Sequence, residues 1–307
     1  MIKIGFVDYY LDNWHCNYYP GFLREAIRDL GYEITVTHAY GMITSPDGVT
    51  SEEWCRAHDV ICCGTIEELV ESVDAICVIA ADDARFHDYV CDIPLMSGKP
   101  VFVDKTFAYD TARATRFFAL AEEYGTPVFS ASAQRYCQDV IDYKKAHPER
   151  PLFVSTVGPH SLDRYAVHQL DVIEALMGPG VKRLKAFAAG EDVTQLILDY
   201  GPIRDSGAAD DSKPDPDAAE PHRWASFMQT PQPYAEFNFM VTQTGSGMEG
   251  ARLESDDQNF YANLSRVILD FFRTKEVPVP HEETLEVVRL IELARLARKQ
   301  PDTWFEV

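Results

Sequence analysis

The stretch Gly98-Lys99-Pro100-Val101-Phe102-Val103-Asp104-Lys105-Thr106-Phe107-Ala108 decides how the rest of the chain is read. Gly98 and Pro100 close what precedes, and Val101-Phe102-Val103 is an apolar run of the kind that forms a buried strand. Lys105 follows as soon as that strand ends. Parallel α/β sheets take their ligands outside the carboxyl ends of their strands, so a lysine there is placed to meet one.

Upstream, strand and helix patterns alternate. Ile2 to Val7, Glu33 to His38, Val60 to Cys63 and the apolar Ala75 to Ala81 read as strands. Gly21 to Leu30 reads as a helix stopped by Gly31, and Thr65 caps a helix whose Ile66, Leu69, Val70 and Val73 share a face. A helix from about Arg85 to Met96 leads into the stretch above. Thr111 to Tyr124 (helix) and Pro127 to Ser130 (strand) follow it. Repeated βα units with apolar strands predict a Rossmann-type doubly wound parallel sheet over residues 1–133.

Near residue 134 the pattern changes. Leu152 to Val157 is a strand, and Ser161 is placed to cap a helix that ends at Gly178-Pro179. Val181 to Ala188, Thr194 to Tyr200 and Tyr234 to Thr242 alternate over longer lengths. Asn259 to Arg273 and Glu283 to Lys299 are amphipathic helices. Residues 134–307 are therefore expected to form an α+β domain with an open, mainly antiparallel sheet, which the resemblance described below makes the substrate and oligomerisation domain. Arg204 to Arg223 is rich in Asp, Pro, Ala and Ser and reads as a surface loop or lid.

Composition narrows the function classes. The net charge of −21 over 307 residues repels phosphate backbones and anionic membranes. No stretch is long and apolar enough to span a bilayer, and Met1 to Gly5 enters a strand at once, which predicts a cytoplasmic protein. Seven cysteines without a C-x-x-C pattern argue against a disulfide framework and a structural zinc. No metal is expected.

The stretch 98–108 resembles the G-K-x-V-x-x-E-K-P-x-A motif of the glucose–fructose oxidoreductase / inositol dehydrogenase (Gfo/Idh/MocA) family, with Asp104 for Glu and Thr106 for Pro. Ala80 to His87 is similar to that family's loop after the fourth strand. His168-Gln169-Leu170-Asp171, continued to Gly178, resembles its H-x-x-D-x-x-x-x-L-x-G helix. The resemblance implies hydride exchange between NAD or NADP and a sugar, cyclitol or related polyol. It makes Lys105 and His168 the catalytic pair, within reach of one small ligand. Tyr165, Asp171, Arg164 and His15 become substrate contacts. Ala80, Asp82, His87 and Lys105 become cofactor contacts; Asp8, Asp12 and Asn13, polar groups at the sheet's carboxyl edge, are read from the residues themselves as further cofactor contacts, which with His15 could instead bind a sugar's hydroxyls. The open sheet implies a homodimer or homotetramer. A neutral imidazole suits the proton step, and an ammonium suits charge developing on oxygen.

Two departures stand beside the resemblance. Arg164 occupies the place of an acid one turn before the histidine; Asp163 lies off that helix face, while Tyr165 lies on it. The turn after the first strand reads Asp8-Tyr9-Tyr10-Leu11-Asp12-Asn13-Trp14-His15, with none of the glycines of G-x-G-x-x-G. The strand Glu33 to His38 is followed by Ala39-Tyr40, without the acid that holds an adenosine ribose. A wider turn lined by side chains is expected there, with weak or displaced dinucleotide binding. The alternative function is a homologue without ordinary NAD(P) binding that serves as a non-redox carbohydrate enzyme or a binding subunit.

Overall fold

The computed structural model describes residues 1–80, 83–188, 194–203, 222–230, 238–243, 247–253 and 259–307. The Arg204–Arg223 loop, except for its last two residues, Asp82, and the first part of the strand read from Tyr234 lie outside them. The chain divides into two compact units. One is Met1–Tyr136 with Asn259–Val288; the other is Cys137–Gln258 with Arg289–Val307.

The first unit is built on six parallel strands. In chain order its elements are β1 (Ile2–Asp8), α1 (Trp14–Leu30), β2 (Ile34–Gly41), α2 (Ser51–His58), β3 (Ile61–Cys62), α3 (Ile66–Ser72) and β4 (Ala75–Val78). Two single-turn helices follow, α4 (His87–Val90) and α5 (Asp92–Leu95), then β5 (Val101–Val103), α6 (Thr111–Glu123) and β6 (Val128–Ser130). The strand order is β3-β2-β1-β4-β5-β6. That order places a reversal point beside β1, the crevice where doubly wound sheets take ligands. Ile76, Cys77, Val78, Val101, Phe102 and Val103 are all fully buried, as strands covered on both faces must be. Gly5 lets α3 approach β1: a Cβ there would come within 2.7 Å of Leu69 Cδ2.

Two helices differ from their sequence reading. α1 starts at Trp14, well before Gly21, because Asn13 caps it and Pro20 is carried inside the helix. Proline removes one helical N–H but does not end a helix whose faces are otherwise packed. The helix expected over 85–96 is instead a turn of 3₁₀ helix (Ala84–Phe86) and the short α4 and α5. Pro94 cannot donate to the Val90 carbonyl four residues back, so the ladder breaks there.

The second unit holds a seven-stranded mixed sheet. α7 (Gln138–Ala146), β7 (Phe153–Gly158) and α8 (Leu162–Met177) lead to β8 (Arg183–Ala188), β9 (Thr194–Pro202), β10 (His222–Gln229), β11 (Asn238–Gln243) and β12 (Gly247–Arg252). With β13 (Phe305–Glu306) the order is β12-β11-β7-β10-β9-β8-β13. Only β10 and β7 pair in parallel; the other pairs are antiparallel. One face carries the buried Val154, Leu184, Ala186, Leu196, Leu198, Ala225 and Phe227. Ser161 precedes α8, but its side chain makes no capping hydrogen bond.

α9 (Phe260–Thr274) and the first part of α10 (His281–Ala297) return to the first unit. The reason is α9's apolar face: Leu264, Ile268, Leu269, Phe271 and Phe272 join one core with Phe102, Phe129 and Leu23. A boundary drawn at 133/134 from sequence places both helices in the second domain, whereas α9 and α10 up to Val288 group with the first unit and Arg289 onward with the second. Among the described residues, no helix is long and apolar enough to cross a membrane.

Candidate functional site at the carboxyl edge of the parallel sheet

β1 ends on Asp8, which is buried. Its carboxylate accepts from Asn13 Nδ2 at 2.9 Å, Cys16 Sγ at 3.0 Å and the Tyr10 amide at 3.2 Å. Burial pushes the Asp8 carboxyl up to about 6, against the pull of those donors and of the Ala80 amide. Asn13 then caps α1, its Oδ1 accepting from the Cys16 amide at 3.0 Å. Asp12 Oδ1 accepts from Asn17 Nδ2, and Oδ2 from the Val49 amide, which hold its pKa below the usual carboxylate range.

β5 ends in Asp104 and Lys105. Asp104 is buried: its Oδ2 stands 2.6 Å from His15 Nδ1 as an ion-pair contact, and its Oδ1 accepts from the Tyr19 hydroxyl at 3.2 Å. Burial pushes this carboxyl up, but His15, through charge and hydrogen bond, and then Lys105 outweigh it, so the net shift is downward. His15 and Tyr19 sit one turn apart on α1 and their rings stack. Lys105 is itself mostly buried. Lys99, in the same motif, serves α3 instead: its Nζ donates to the Val70 and Val73 carbonyls.

His87 fastens the Lys105 loop to the end of β4. It is fully buried, with Nδ1 3.1 Å from the Thr106 and Phe107 carbonyls and Nε2 3.0 Å from the Ile79 carbonyl. Burial lowers its pKa. Read from the sequence as a cofactor contact, it is a tie between two backbone segments. Ala80, after β4, has φ 41°, a left-handed conformation that side-chain-bearing residues adopt only when their surroundings hold them there. Asp82 lies outside the described residues.

On α8 in the second unit, Tyr165, His168 and Asp171 follow at three-residue spacing on one face. The Tyr165 and His168 rings are 5.2 Å apart, and Tyr165 also stacks on His160 at 4.4 Å. Asp171 is buried and Arg164 exposed. Asp163 pairs with Arg295, so it does not supply the acid missing before His168. Lys105 and His168 thus belong to different units.

Sequence reasoning missed Asp104 and Tyr19 as partners of His15. A usable signal was present: His15 and Tyr19 are four apart behind a helix cap, and Asp104 directly precedes the singled-out lysine. Among the described residues, no group of three or more His, Cys, Asp or Glu could hold a metal ion.

The first turn of α1 also tests the cofactor that such a sheet implies. A dinucleotide's pyrophosphate needs backbone N–H groups at the helix start and no carboxylate beside them. Here Asn13 takes the Cys16 amide, and Asp8 and Asp12 are hydrogen-bonded around the same turn. Asp8 and Asp104 both add to the burial that drives the Cys16 thiol upward. This turn does not fit a pyrophosphate.

The six-stranded parallel sheet and the seven-stranded mixed sheet together are the fold of Gfo/Idh/MocA-type dehydrogenases. GenD2 from gentamicin A biosynthesis, solved in complex with NAD, is similar over 100% of this chain and 96% of its own, with TM-score 0.77 and 13% identity. UDP-N-acetylglucosamine 3-dehydrogenase from Acidithiobacillus ferrooxidans is similar over 97% and 98%, with TM-score 0.74 and 11% identity. An oxidoreductase from Agrobacterium radiobacter, in complex with NAD+, L-tartaric acid and magnesium, gives 99%, 98%, 0.70 and 12%. No protein-family model matches the chain, and no curated protein matches it. At these identities the likeness is one of fold.

Proposed function

We propose that the chain is an oxidoreductase that exchanges a hydride between NAD or NADP and a sugar, cyclitol or related polyol. The observation that carries this reading is Lys105, buried beside Asp104 at the carboxyl edge of a sheet with strand order β3-β2-β1-β4-β5-β6. The solved structures of the same fold support it, being dehydrogenases and oxidoreductases, two of them with NAD. Lys105 stabilises negative charge developing on the substrate oxygen, and His168 exchanges the hydroxyl proton. Tyr165, Asp171, Arg164 and His15 place the substrate. The test is a screen of polyols and sugars with NAD+ and NADP+, followed by Lys105→Met and His168→Gln. Loss of turnover in both, with native circular dichroism, is expected; full activity in either removes its role.

One observation favours a second reading, a non-redox carbohydrate enzyme or binding subunit: the filled turn between β1 and α1. Absence of turnover with either cofactor, with sugar binding retained, selects it.

A homodimer or homotetramer is also part of the proposal. The outer face of the second sheet carries Phe153, Val157, Phe187, Ile197 and Met228, and two of these, Phe187 and Met228, are exposed. Light scattering at micromolar concentration should give a multiple of 34.7 kDa.

A further inference from the structure

We propose that His15 is a proton-transfer residue of this chain, held by Asp104, in the place where the fold's relatives would seat a phosphate. Every part of the arrangement lies within the first unit. Asn13 caps α1, so His15 is fixed in the helix's first turn. Its Nδ1 stands 2.6 Å from Asp104 Oδ2, and its ring stacks on Tyr19. Asp104 is itself fixed, because Tyr19 donates to its other oxygen and its amide donates to the Val78 carbonyl at 2.8 Å.

Among the described residues no group meets Nε2 of His15, and the side chain retains 15% exposure. One ring nitrogen thus stands against a buried carboxylate while the other is open. In a neutral ring so held, the proton sits on Nδ1 and the lone pair on Nε2. A carboxylate behind an imidazole fixes its tautomer and stabilises the imidazolium that forms, without taking the proton itself. The step assigned here is limited to that, and it gives His15 the proton that the reading above gives His168: a proton leaves a ligand O–H or an activated C–H for Nε2, its electron pair stays on the ligand, and Asp104 stays ionised. Lys105, next in sequence, adds positive charge on the same edge. A merely structural histidine in this position would more simply use both nitrogens on backbone, as His87 does.

The inference rests on the enzymatic reading above but not on its redox part. The first experiment is ¹⁵N NMR of the ring: the wild type should show the Nδ1–H tautomer, with the alternative tautomer populated in Asp104→Asn. An Nε2–H ring in the wild type overturns the proposal. The second uses the polyol oxidation assay. His15→Gln should lose at least about 100-fold in kcat with KM nearly kept, and imidazole should restore part of the turnover of His15→Gly. Retention of more than a tenth of wild-type kcat in His15→Gln, or no rescue of a natively folded His15→Gly, overturns it. If the wild type oxidises nothing with either cofactor, the redox reading fails and the proposal is decided without cofactor. The protein in D₂O should then exchange solvent deuterium into D-fructose beside its carbonyl, and His15→Gln should not. No exchange by the wild type, or equal exchange by both, overturns it.

Discussion

Asn13 joins two jobs: its Nδ2 donates to Asp8 Oδ2 at 2.9 Å, and its Oδ1 accepts from the Cys16 amide at 3.0 Å. One side chain therefore both starts α1 and partners a buried carboxylate. Loss of the cap alone costs about 1 kcal/mol, and leaving a buried acceptor short of a donor costs about 1–3 kcal/mol more. Asn13→Ala should lower the unfolding free energy by about 2–4 kcal/mol in urea titration. Asn13→Ser, which keeps the cap but not the amide donor, should fall between it and the wild type. Equal stability of all three proteins would show that the Asp8 contact contributes nothing.

Asp8 gives the molecule a definite pH dependence. Its folded pKa, about 6, lies above the ordinary carboxyl value of 3.8. Between those values the folded state holds a proton that the unfolded state has lost, so raising the pH costs stability. The effect begins near pH 4, is complete somewhat above pH 6, and is favourable to folding only below that window. A shift of this size corresponds to about 3 kcal/mol. The stability of Asp8→Asn relative to the wild type should therefore rise from pH 4 to pH 6.5 and then level off. A pH-independent difference between the two proteins would mean that Asp8 titrates normally.

His87 links the Ile79 carbonyl to those of Thr106 and Phe107. His87→Ala leaves a cavity and orphaned carbonyls at the base of the Lys105 loop. It should destabilise the protein by about 2–5 kcal/mol. Because the loop carries Lys105, turnover should fall even at temperatures where the variant is fully folded. Unchanged kcat in a folded His87→Ala protein would separate the tie from the lysine.

How much of this was legible in the sequence depends on range. The parallel sheet was readable because its apolar strands and helix caps are local: Thr65 accepts from the Glu68 amide, and Gly31 closes α1 in the left-handed conformation. The absence of glycines after β1 was equally plain. What replaced them was not, since Tyr19 and Asp104 are 85 residues apart and only the βα topology brings them together. The sequence reads Asp8 as a cofactor contact in a turn lined by side chains, from its place after the first strand. It faces inward because Asn13, Cys16 and Tyr10 all donate to it. That α9 groups with the first unit is not legible, because an amphipathic face shows that a helix is buried, not against what.

The first turn of α1 bears directly on cofactor binding. Relatives in fold were solved with NAD, yet the amide that a phosphate would use is taken by Asn13, and Asp8 and Asp12 are hydrogen-bonded around the same turn. A like-charge contact near 4 Å costs about 1–4 kcal/mol, the smaller figure applying in bulk water and the larger near a protein surface. Each 1.4 kcal/mol is a tenfold loss of affinity, so one such contact weakens binding by up to about a thousandfold. NADH and NADPH titrated by fluorescence or calorimetry should therefore bind the wild type more weakly than low-micromolar. The double variant Asp8→Gly/Asn13→Gly tests the cause, because it removes a carboxylate and frees the Cys16 amide together. If it folds, it should bind more tightly than the wild type. Low-micromolar binding by the wild type, with the pyrophosphate on the Asp8–His15 backbone in a co-crystal, would show that the turn opens to admit it. Failure of both cofactors at millimolar concentration, in a protein that still binds a sugar, leaves the non-redox reading in place.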